Sequence, residues 1–224
     1  MRLPAAVFAQ PDPVIAARYF LGKTLVVRDL DAADSAGTVP TNGMDISGTS
    51  TPGIISGGII TETEAYGGAE DKACHGYANR RTARTEIMFG PGGFAYVYLC
   101  YGIHWMINIV TGPAEVPMAV LIRAVQVTEG RDHAARRRRG LAEKHWASGP
   151  GKVTSALGIT RRHNGADMRL GTDIWLEDRG HVVEDKDISV GPRVGVDYAG
   201  EWAHMPWHFV WRPPTPVSVA TGIR

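Results

Sequence analysis

Two carboxylates, Glu62 and Glu64, stand two residues apart in the run Ile59-Ile60-Thr61-Glu62-Thr63-Glu64-Ala65-Tyr66. In a strand they share one face with Tyr66, while Thr61, Thr63 and Ala65 take the other. A carboxylate beside an aromatic can work as a general acid or base in a pocket wall. The same pattern also suits a polar face turned to solvent. In Phe94–Tyr101, Tyr96, Tyr98 and Cys100 alternate with Ala95, Val97, Leu99 and Tyr101. Tyr96 reads as a packing residue in a cross-strand pair. Tyr101-Gly102-Ile103 separates two strand patterns and reads as a hairpin tip. An aromatic there has no core of its own to pack in and can wedge into a partner, as inserted side chains unstack duplex steps.

Other candidates carry less chemistry. Cys74-His75 is an adjacent pair with no second pair at ligand spacing, so no metal site is expected, and the zinc deaminase signature is absent. Ser148-Gly149-Pro150-Gly151-Lys152 lacks the flanking residues of a P-loop. It opens a helix whose free N–H groups can hold a phosphate or be capped locally. There is no Gly-rich dinucleotide fingerprint.

The elements that must position these residues follow from hydrophobic period and turn signals. Asp12-Pro13 caps a helix that ends before Gly22. Strands are expected at Thr24–Leu30, Ile59–Tyr66, Phe94–Tyr101, Met106–Thr111 and Met118–Val125. Residues 127–145 and Lys152–Leu157 read as helices. The segments TDIWLEDR, HVVEDKDISV, RVGVDY and HFVW read as strands. Of the 28 residues 31–58, 16 are Gly, Pro, Ser or Thr, so a long flexible loop is expected there. No βαβ rhythm is visible, and the fold class expected is mixed α+β, with a mainly antiparallel curved sheet surrounded by helices.

Composition narrows the function classes. The 224 residues suit a single domain over 1–224. Hydrophobic residues make 44% and charged residues 21%, which excludes full-length disorder. The net charge of +1 gives no global basic footprint. Charge is segregated, however. Residues 131–163 hold nine Lys or Arg against two acids, a balance of +7, and residues 164–201 hold nine acids against four basic residues, a balance of −5. The run Arg136–Arg139 is either a solvated helix face or a patch for phosphates. Two cysteines rule out a disulfide scaffold. The Pro-broken start MRLPAAVFAQPDP does not make a convincing signal peptide and there is no run of 18 apolar residues, so a cytoplasmic protein without a membrane span is expected.

Taken together, these segments resemble the alkyladenine (3-methyladenine) DNA glycosylase family. The resemblance rests on an ordered set: Thr61–Tyr66, Glu70–His75, Met88-Phe89, Tyr96–Tyr98, Tyr101-Gly102, Met106–Ile109, Val120–Ala124, Ser148–Pro150, Arg193–Val196, Ala199–Trp202 and Pro206. It implies a monofunctional glycosylase that removes alkylated or deaminated purines from double-stranded DNA as a monomer, without metal or organic cofactor. By the same resemblance Glu64 is the general base. Arg123 places the attacking water, with the Val194 carbonyl beside it. Tyr66, His75 and Tyr98 sandwich the flipped base, Asn108 disfavours normal guanine, and Tyr101 intercalates. The 31–58 stretch looks longer than the family needs. Two other readings remain: a glycosylase/lyase using an amine such as Lys152, and a non-enzymatic binder of distorted DNA.

Overall fold

The computed structural model describes residues 1–29 and 53–213. Its centre is one eight-stranded antiparallel sheet: β1 (Thr24–Asp29), β2 (Ile54–Tyr66), β3 (Ala95–Cys100), β4 (His104–Thr111), β5 (Met118–Glu129), β6 (Ile174–Glu177), β7 (Ile188–Gly191) and β8 (His208–Trp211). The strand order is β3-β4-β5-β2-β1-β6. β2 is long enough to serve two partners on one side. Its first half pairs with β1 from Asp29↔Ile54 to Thr24↔Ile59. Its second half pairs with β8 at Glu62, Thr63 and Glu64, and β7 extends that edge. The α+β class expected from the sequence is the observed one.

Three α-helices lie among the described residues: α1 (Pro13–Phe20), α2 (Arg131–Arg137) and α3 (Pro150–Leu157). α1 starts where Asp12 accepts from the N–H groups of Val14 and Ile15, and Pro13 loses nothing at a position whose N–H is unpaired anyway. It buries Pro13, Ala16, Ala17 and Phe20, a single helical stripe. α1 packs on β2 and β5, and α3 packs on β4 and β5. The sheet face beneath them is dry: Ala65, Ala95, Val97, Ile107, Ile109, Val120 and Ile122 belong to one core. Thr63, also on that face, donates to Ala17 O at 2.9 Å.

Several boundaries differ from expectation. Residues 54–58 belong to β2 rather than to a loop; residues 31–52 of the expected loop, and Leu30 of the expected first strand, lie outside the described residues. Gly57 and Gly58 look like loop composition, but a Cβ at Gly58 would sit 2.7 Å from Gln126 O and one at Gly57 3.1 Å from Leu25 O. These glycines let neighbouring strands close in. β5 runs on to Glu129 because β2 offers it a partner there, so α2 covers only seven residues of the expected 127–145 helix. Of HVVEDKDISV only the last three residues are strand, in β7. RVGVDY is no strand: it leads into a 3-10 turn at Asp197–His204, with Gly195 at φ 74°.

That segment is anchored by charge. The Arg193 guanidinium donates to both Asp71 oxygens at 2.5 and 2.9 Å and to the carbonyls of Ala65 and Trp202 at 3.0 Å. Neither side chain of this ion pair is exposed. Asp71 also accepts from the backbone of Gly67 and Ala73. Removing one member of such a pair leaves an uncompensated buried charge, which costs about 3–5 kcal/mol. Arg193→Leu is expected to lower unfolding free energy by about that amount, read from urea titration. A loss below about 1 kcal/mol would mean that the pair does not hold this loop.

Candidate active site

The opposite face of the sheet builds a cavity of about 420 Å³. One row of directly opposed residues crosses five strands: His208, Glu64, Leu121, Asn108 and Tyr96. Opposed residues share a face, so strand alternation delivers Tyr66, Tyr96, Tyr98, Met106, Asn108, Ala119 and Leu121 to the same wall. The ladder between β2 and β5 is irregular at one place. Ile60 opposes Val125, Glu62 opposes Ala124, and Thr63 opposes Ile122, so Thr61 and Arg123 fall outside the pairing. Such irregularities re-aim a side chain, and here the result is that Arg123 reaches both carboxylates.

Glu64 has no exposed surface. Its Oε1 accepts from Val194 N at 2.8 Å and lies 3.2 Å from Arg123 Nη1, and its Oε2 accepts from the Tyr66 hydroxyl at 2.9 Å. All three neighbours are donors, and an ionised carboxylate can accept from all of them. Tyr66, Arg123 and Val194 line the cavity, while Glu64 sits directly behind them. Val194 meets Glu64 through its amide N–H. Burial, then the charge of Glu64, push the Tyr66 hydroxyl well above its usual range, so it stays a donor.

Glu62 accepts from Arg123 Nε at 2.8 Å and lies 2.7 Å from His208 Nε2. Burial alone raises its carboxyl, but the bonds from His208 and Arg123 outweigh burial and hold it below its ordinary value. Burial likewise works against charge on Arg123, and the two glutamates more than offset it, raising its pKa.

The aromatic wall is a cluster. His75 and Tyr98 rings lie 4.7 Å apart at 64°, and Tyr96 and Tyr98 lie 5.2 Å apart. The Tyr96 hydroxyl is 2.8 Å from His75 Nδ1, so Tyr96 anchors the imidazole as well as packing. Its place on the Tyr98 face was the sequence signal for this. Burial, with the nearby Arg84 and Arg80, lowers His75 to about 4, so the ring is neutral at neutral pH. Arg84 lies over Tyr98 at 4.8 Å and Arg193 over Tyr66 at 4.9 Å; neither contact had a local signature. Asn108 is buried on the cavity floor, and its Nδ2 donates to Tyr96 O at 3.3 Å. Burial raises the Cys74 thiol to about 11, so it is no ready nucleophile.

The tip between β3 and β4 projects. Tyr101 is 90% exposed and Ile103 is 70% exposed. Tyr101 at φ 50° and Gly102 at φ 74° make the turn. The basic run beside it is divided. Arg137 donates to Ala156 O at 3.2 Å and Arg138 to Ser155 at 3.4 Å, which ties both to α3. Arg136 and Arg139 are exposed. Arg137, Arg138 and Lys152 line a second cavity next to the tip. Arg81 is held by Glu86 and Glu115. Among the described residues no group of three or more His, Cys, Asp or Glu is placed to hold a metal ion. No helix among the described residues is long and apolar enough to cross a membrane.

The model of the family described as methylpurine-DNA glycosylase matches residues 43–214. A protein of Bacillus cereus (strain G9842) named "Putative 3-methyladenine DNA glycosylase" is 41% identical over 169 residues, covering 71% of this chain and 82% of the relative. A Bacillus cytotoxicus relative of the same name shows the same identity and coverage. The buried glutamate, the aromatic cavity and these matches converge: the chain belongs to the methylpurine-DNA glycosylase family, DNA-repair enzymes that hydrolyse N-glycosyl bonds.

Proposed function

We propose that the chain is a single glycosylase domain that acts as a monomer on double-stranded DNA, turns an alkylated or deaminated purine into the cavity, and cleaves its glycosidic bond by hydrolysis alone. The carrying observation is Glu64, a buried carboxylate ringed by donors behind an aromatic cavity. Water attacks C1′ of the sugar, a C1′–O bond forms, and the C1′–N bond breaks with its electron pair leaving on the base. Glu64 takes the proton from water and stabilises positive charge growing on the sugar. Its Oε2 accepts one donor and its Oε1 two, so Oε2 keeps a lone pair for water. Arg123 and the Val194 segment hold the water and the carboxylate together.

Flipping costs a few kcal/mol, least for a damaged base. Stacking on Tyr66, His75 and Tyr98 returns about 1–3 kcal/mol per contact, and a cationic alkylated purine gains further from electron-rich ring faces. Tyr101 fills the emptied stack. Among the described residues no lysine lines the cavity, and Lys152, 3.4 Å from Ser148, lines the second one, which argues against a lyase. A mere binder of distorted DNA has no use for the buried Glu64–Arg123 pair.

Incubation with duplexes holding hypoxanthine, ethenoadenine or 3-methyladenine should release free base, and borohydride should trap no adduct. Glu64→Gln should bind lesion DNA normally and excise at least about 100-fold more slowly. A rate within a few-fold of the unaltered protein would move the base elsewhere. Tyr101→Ala should weaken the flipped state more than the encounter with DNA, seen as a smaller 2-aminopurine signal beside the lesion. An unchanged signal would count against the wedge. Asn108, pinned to the Tyr96 carbonyl, meets the 2-amino group of an entering guanine. Asn108→Ser should therefore raise excision of normal guanine relative to hypoxanthine by about tenfold, the worth of one buried polar mismatch. Competition between the two duplexes under single-turnover conditions measures the ratio, and an unmoved ratio would assign Asn108 a structural role only.

A further inference from the structure

The second carboxylate of the β2 run has a job of its own. We propose that Glu62 and His208 form a positioning pair that locks the Arg123 guanidinium against Glu64, His208 acting through Glu62; this rests on the reading of Glu64 as the general base.

The four groups make one chain of contacts. His208 Nε2 lies 2.7 Å from Glu62 Oε1, Glu62 Oε1 accepts from Arg123 Nε at 2.8 Å, and Arg123 Nη1 lies 3.2 Å from Glu64 Oε1. Neither Glu62 nor His208 lines the cavity, whereas Arg123 does. The polar partners of Glu62 are Arg123 and His208, so its contact with the site runs through Arg123. The need for a lock follows from the backbone. Arg123 falls outside the β2–β5 ladder, so regular pairing does not aim it, and its long stem has several rotatable bonds. A bond at Nε fixes the plane of the guanidinium and leaves Nη1 directed at Glu64. Glu62 itself is held in turn by the imidazole from β8, whose residue 208 is the register partner of Glu64. Two adjacent strands therefore grip one arginine from behind. Misplacing a group of this kind by about 1 Å can cost about 100-fold in rate.

The test separates positioning from packing. His208→Phe keeps ring volume but offers Glu62 no donor, and His208→Gln keeps a donor with less volume. Under the proposal His208→Phe slows single-turnover excision by about tenfold or more with unchanged Kd for a lesion duplex, and His208→Gln restores the rate to within a few-fold. A packing role predicts the reverse order. Glu62→Gln should slow excision likewise, and combined with Arg123→Met it should be no slower than Arg123→Met alone, since both act through one group. Thermal melting reports folding for each variant; if the His208 variants unfold, the Glu62–Arg123 cycle decides. Wild-type rates in His208→Phe and Glu62→Gln, or full additivity with Arg123→Met, would overturn the proposal. Glu64→Gln is run alongside. If it remains active, the general-base reading fails; if it is inactive while the Glu62 and His208 variants run at wild-type rate, the positioning pair alone fails.

Discussion

A carboxylate removed from water is tolerated only where donors replace its hydration. Glu64, with no exposed surface, sets that condition for the whole site. A strand neighbour must supply a guanidinium, a loop must supply an N–H, and an aromatic at the end of β2 must supply a hydroxyl. Each supplier must then be held. The loop bearing Val194 is held one residue earlier by the buried Arg193–Asp71 pair. That pair also braces the Tyr66 ring, over which Arg193 lies. The two buried ion pairs act in series: the second keeps in place two of the three donors that the first glutamate requires.

The sheet divides labour between its faces. One carries aliphatic side chains under α1 and α3 and supplies hydrophobic stability. The other carries Tyr, Asn, Arg and Glu, and Tyr66, Tyr96, Asn108, Arg123 and both glutamates each have a hydrogen-bond partner close by. Such a wall is expensive to assemble piecemeal, since a half-satisfied network is worse than an apolar one. Strand alternation delivers the strand-borne tyrosines, Asn108 and Glu64 at once, and loops add His75 and Val194.

Alternation is also why so much of the site was legible. Period two along Thr61–Tyr66 and Ala95–Cys100 puts Glu62, Glu64 and Tyr66, and Tyr96 and Tyr98, on common faces from residue order alone, and Gly102 marks the tip. Contacts between distant segments carry no such period. Arg193 meets Asp71 across 122 positions, and His208 meets Glu62 across 146; nothing near either residue announces the partner. Gly57-Gly58 misled for a different reason, because glycine serves both in loops and where strands crowd. The end of β5 was misplaced because pairing with β2 overrode the local helical pattern at residues 127–129.

β3 carries Tyr96 and Tyr98 into the cavity wall and ends one residue before Tyr101. From Tyr98 to Cys100 the strand advances about 7 Å, and Tyr101 opens the turn directly after it. Hydrogen bonds to β4 along the whole length of β3 make this segment stiff. The projecting tyrosine and the aromatic wall thus behave as two marks on one ruler. In the proposed reaction the spacing between the vacated stack and the captured base is a constant of the protein. Under that proposal the deformation needed to match it falls on the nucleic acid rather than on the protein.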